Sequence, residues 1–130
     1  MRHEDWPERM ADKLREWRAK PFEWGLADCV IFVADMVQAM TGCDLAEKVR
    51  GRYASEFGAR RQILEHGGDL AELLTRKLGA PVAVNFAQRG DIVMSGGNLG
   101  ICVGPSGAFV TPAGLIYIDL ADCSACWKVD

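Results

Sequence analysis

Between Asp28 and Thr41 the chain is apolar on nearly every side. Val30, Ile31, Phe32, Val33, Ala34, Met36, Val37, Ala39 and Met40 leave little polar surface beyond Asp35 and Gln38. A helix without a wet face has to be covered on most sides. The segment therefore predicts a central helix from Asp28 to Thr41, stopped by Gly42, around which the rest of the chain must wrap. Cys29 rides on the first turn of that helix.

The remaining sequence can supply the cover. A chain of 130 residues, 49% apolar and 25% charged, suffices for one core without disulfide or metal staples. Asp5 reads as an N-cap, with Glu8 completing a capping box and Pro7 tolerated in the first turn. Trp6, Met10, Leu14 and Trp17 then fall on one face of a helix that ends before Pro21. One more helix follows Ser55 and carries Phe57, Ile63 and Leu64. Another starts near Asp69, presents Leu70, Leu73, Leu74 and Leu78 as a core stripe, and ends at Gly79 and Pro81. Beyond Pro81 the pattern changes to short strands: Val82–Phe86, Asp91–Ser95, Leu99–Val103, Ala108–Val110, Leu115–Leu120 and Trp127–Val129. Gly96-Gly97 marks a hairpin. The expectation is one α+β domain over 1–130, with an N-terminal helix in 1–20, a helical part in 28–79 and a sheet part in 81–130. The four tryptophans are expected to pack helices on the sheet; Trp6 and Trp17, if exposed, would be partner anchors.

Cys29 is the first candidate for chemistry. A thiol at a helix N-terminus meets unpaired N–H groups and the positive end of the dipole, which favour the thiolate. A cysteine hydrolase also needs a base, and the chain has two histidines, His3 and His66. His3 reads as a surface residue. His66, in Glu65-His66-Gly67-Gly68, reads as a helix C-terminal residue facing the dipole, and is the one candidate for a base.

Several motifs together carry a resemblance. Trp24-Gly25 and Asp28-Cys29 lead the apolar helix; Arg89-Gly90-Asp91-Ile92-Val93 and Leu99-Gly100-Ile101-Cys102-Val103-Gly104 follow. This resembles the NlpC-type, papain-like cell-wall peptidases. Arg50 to Tyr53, Gln88 to Asp91 and Ala125 to Trp127 extend the resemblance to small NlpC-like proteins encoded among phage and prophage tail-tip genes, over roughly 20–129. The resemblance implies a papain-like fold with Cys29 in the nucleophile position. It also implies a histidine opening the strand His-Val-Gly-Ile, and here that position holds Asn98. Asparagine takes no proton near neutral pH, and general-base help is typically worth about 10²- to 10⁴-fold in rate.

Two functions are therefore expected. The first is a structural or assembly component of a phage-like tail tip or baseplate, with Cys29 vestigial. Its partners would be other tail-tip and hub proteins, in multiple copies around a symmetric tail. The alternative is a cysteine endopeptidase or amidase that cuts peptidoglycan during genome entry through Cys29. Net charge is −3, which disfavours nucleic acid. Lys48, Arg50, Arg52, Arg60 and Arg61 form a local cationic cluster, read as a solvated face or a rim for an acidic partner. No segment reaches the roughly 20 apolar residues of a membrane span. The N-terminal residues lack a signal peptide's apolar core, so the expected place is the bacterial cytoplasm, then the virion. No cofactor is expected. Cys123 and Cys126 form a Cys-x-x-Cys without a second pair, a weak zinc motif, and read as packed thiols beside Trp127.

Overall fold

The computed structural model describes residues 1–130. Four helices come first: α1 (Trp6–Arg18), α2 (Cys29–Thr41), α3 (Glu56–His66) and α4 (Leu70–Leu78). Five strands follow: β1 (Ile92–Ser95), β2 (Asn98–Cys102), β3 (Ser106–Thr111), β4 (Gly114–Asp119) and β5 (Ala125–Trp127). They form one antiparallel sheet in the order β4-β3-β2-β1-β5. The class is α+β.

α2 is the axis of the molecule. Seven of its thirteen residues are buried, between α1 on one side and β2 and β3 on the other. Each large side chain so covered contributes about 1.5–3 kcal/mol relative to exposure. Its ends are well defined. The Asp28 carboxylate accepts the Ile31 N–H at 3.0 Å, and Gly42 closes the helix at φ 83°, a conformation that favours glycine. Trp17 of α1 packs edge-on against Phe32, with ring centroids 5.2 Å apart, and donates its indole N–H to Asp35.

The sheet has two covered faces. Ile92, Leu99, Ile101, Ala108 and Trp127 face the helices. Val93, Cys102, Phe109 and Cys126 face the other way, onto Cys123 and the segments around Val84 and Leu120. The Phe109 ring lies on Gly100 and Gly107, where an added Cβ would sit 2.8 Å from it. Gly96-Gly97 form a two-residue β1–β2 hairpin between the paired Ser95 and Asn98, at φ 57° and 81°, as mirror-image turns require.

Four expectations need correction. Val82–Phe86 is no strand: Val82 makes one bridge to Cys126, and Val84–Phe86 winds into a 3-10 turn. The last strand lies at Ala125–Trp127, because β1 ends its pairing there. Asp5 does not cap α1 through its side chain, since Arg9 takes its carboxylate. Trp17 is buried and Trp6 is half-buried beneath the Arg2 guanidinium, so the exposure on which an anchor role depended is not met. Trp24 packs on Phe22 rather than on the sheet.

Asp91 joins the two chain ends to the sheet. It is 1% exposed and accepts from Arg2, from Lys128, and from the backbone N–H groups of Gln88 and Val129. Arg89-Gly90-Asp91 is thus turn chemistry, with its aspartate inside the protein. Asp91→Ala would leave two cations and two amides without their acceptor, so we expect a loss of about 3–5 kcal/mol in urea unfolding. A loss below about 1 kcal/mol would show that water replaces the carboxylate.

Candidate functional site

The loop ahead of Cys29 is built by a buried carboxylate. Asp28, 1% exposed, accepts the Gly25 N–H at 2.8 Å, the Ile31 N–H at 3.0 Å and the Tyr53 hydroxyl. Gly25 stands at φ 84°, and an added Cβ would come 2.0 Å from the Tyr53 carbonyl oxygen. Its own carbonyl accepts the Gly51 N–H at 2.9 Å. Arg50 completes the clamp. Its Nε donates to Asp44 at 2.7 Å, while Nη2 lies 2.7 Å from Asp35, paired in charge but off the line of a hydrogen bond. Trp24-Gly25, Asp28-Cys29 and Arg50-Gly51-Arg52-Tyr53 therefore form one physical unit.

Cys29 is mostly buried within that unit. Burial pushes its thiol up from the ordinary value; the Leu99 backbone pulls it back, the adjacent Asp28 carboxylate adds to the rise, and the amides of Cys29 and Val30 oppose it. The net direction is upward. The helix N-terminus acts in the expected sense and loses to desolvation, so the expected thiolate-favouring setting is not what the fold provides. Tyr53 is pushed up as well, by burial first and then by the proton it holds against Asp28.

From the sheet it is the Leu99 backbone that acts on the Cys29 thiol. Asn98 lies one position earlier, and strand alternation sends its side chain to the face opposite the Leu99 side chain. It shares that face with its pair partner Ser95, whose hydroxyl bonds the Asp122 carbonyl. Asn98 is exposed. Asn98 opens β2, the position that the resemblance gives to a histidine.

His66 is exposed at the end of α3. Its carbonyl accepts from Arg76 at 3.2 Å, and the residue lines an apolar cavity together with Val30 and Leu99. Cys123 and Cys126 are buried with Cys102 in the small cluster behind the sheet, where burial raises all three, Cys126 to about 11. No group of three or more His, Cys, Asp or Glu side chains is placed to hold a metal. No helix is long and apolar enough to cross a membrane.

The match that decides family membership runs along nearly the whole chain. The protein belongs to the family described as Domain of unknown function (DUF6950), whose sequence model matches residues 1–129. Comparison with the curated proteins finds no match. Of the residues that shape this site, Tyr53 and Leu99 had no assigned role in the sequence reading. The Arg-Gly-x-Tyr pattern was the available signal for Tyr53; no local signal marked Leu99.

The site yields two measurable expectations. Gly25→Ala should cost about 2 kcal/mol or more in thermal or urea unfolding, and Tyr53→Phe about 1–3 kcal/mol; near-zero values would mean the clamp is slack. At pH 7, iodoacetamide should modify exposed Cys43 well before Cys29. Because the Cys29 thiol is raised, its labelling should increase only above the ordinary thiol range. Mass-mapped modification of Cys29 first would show an activated thiolate.

Proposed function

We propose that this chain is a catalytically silent NlpC-type, papain-like domain that serves as an assembly component of a phage-like tail tip or baseplate. One observation carries the silent half of the reading: burial and the adjacent Asp28 carboxylate push the Cys29 thiol up, while the position that the resemblance gives to the catalytic histidine holds Asn98. A cysteine hydrolase must form a thiolate and later protonate the leaving amine. Asparagine does neither near neutral pH, and both burial and Asp28 favour the protonated thiol. The assembly half rests on the resemblance of Trp24 to Phe32, Arg50 to Tyr53, Gln88 to Asp91 and Ala125 to Trp127 to small tail-tip proteins.

The clamp around Asp28 supports the same reading. The Asp28 carboxylate is saturated by two backbone amides and a tyrosine hydroxyl, which is how a structural carboxylate is satisfied.

Sacculi incubated with the purified protein should release no more muropeptide than with the Cys29→Ala variant. Particles produced with and without the chain should differ in tail completeness, with the protein found by labelling at the tail end or in assembly intermediates. Cys29-dependent cleavage would overturn the silent reading. Normal tails in the chain's absence would overturn the assembly reading.

A further inference from the structure

On the flank of α2 away from α1 there is an unfilled apolar cavity of about 220 Å³. Its walls are Val30, Val33 and Ala34 of α2, Leu99 of β2, Leu45, Ala46 and Val49 of the α2–α3 connection, and the leucines of α4. Its remaining lining residues are Lys48, His66, Arg76 and Lys77. None of the fourteen is acidic, in a chain whose net charge is −3. Lys48, Arg76 and Lys77 make no ion pair, although eleven pairs form elsewhere. The near carboxylates Glu47 and Glu65 line a separate polar depression that shares only Lys48 and His66 with this one.

An apolar interior with a cationic rim that forms no close ion pair suits one kind of molecule, an apolar body that ends in an anion. We infer that the cavity binds a free acyl carboxylate of medium chain length, its tail among the leucines and valines and its head at Lys48, Arg76 and Lys77. A peptide is a poorer fit. It would bring amide N–H groups into the cavity, where His66 offers the single side-chain acceptor among the walls, and unpaired amides are costly to bury. A neutral hydrocarbon would leave the three cations without a role. The cavity adjoins the thiol's surroundings through Val30 and Leu99, and the inference stands whether or not the chain assembles into a tail.

Titration calorimetry of the full chain with hexanoate, octanoate, decanoate and decanol tests the inference. Affinity should rise about fourfold per methylene until the cavity is full. Decanoate should bind more tightly than decanol, and this preference should shrink as salt is added. The exposed double variant Lys48→Gln/Lys77→Gln should weaken decanoate by about fivefold and leave decanol unchanged, with circular dichroism confirming its fold. Leu73→Trp should abolish both. Saturable binding that is indifferent to the carboxylate, or no binding of decanoate at millimolar concentration, would overturn the inference. So would tight binding of a peptide with an apolar C-terminus where decanoate does not bind.

Discussion

A buried carboxylate, Asp28, organises the front of the molecule. An ionised group taken out of water is tolerated only when its lone pairs are filled. Asp28 fills them from three separate stretches of chain: the turn at Gly25, the first turn of α2, and the loop ending at Tyr53. Each donor fixes its own segment. The Gly25 N–H reaches the carboxylate only with the backbone at φ 84°, and the Tyr53 hydroxyl only if the Gly25–Tyr53 backbones touch. The α2–α3 connection is thereby pinned to the start of the central helix. The same charge lies next to Cys29 and raises its thiol. What makes the loop rigid also works against a nucleophile.

Asp91 does for the back of the molecule what Asp28 does for the front. It gathers Arg2 from the N-terminus, Lys128 and the Val129 amide from the C-terminus, and the Gln88 amide from the turn into β1. Both are single residues whose loss leaves several donors unpaired, which makes them more consequential than any exposed ion pair on α1. The pairs Arg9–Asp5 and Arg15–Asp12 lie in water, and their net contribution is small.

The helical half of the fold was legible because its signals are local. Apolar residues all round Asp28–Thr41, caps at Ser55 and Asp69, and glycines at 42 and 79 determine where helices start and stop within a few residues. The hairpin at Gly96-Gly97 is local in the same sense. What failed depends on partners elsewhere in the chain. Val82–Phe86 has a strand's composition but only one bridge to bond with. Asp5 has a cap's composition, yet Arg9 competes for it. At the site, the thiol's place on the first turn of α2 was readable, whereas its protonation was not. Dipole and burial pull in opposite directions, and burial is a property of the assembled core.

The burial of α2 also links the two features found along it. Burial at the start of that helix holds Cys29 in a setting where its neutral form is favoured. The α2–α3 connection and α4 do not close completely on the flank formed by Val30, Val33 and Ala34, and the gap left there is apolar for the same reason the helix is. Only its mouth, where the last turn of α4 and Lys48 reach solvent, carries charge. Those cations form no close ion pair, although Asp44 lies within the field of Lys77 and Glu47 and Glu65 share a depression with Lys48. An overall acidic protein thus keeps a local positive edge beside an unfilled apolar space, and the two together select for a ligand by shape and by sign at once.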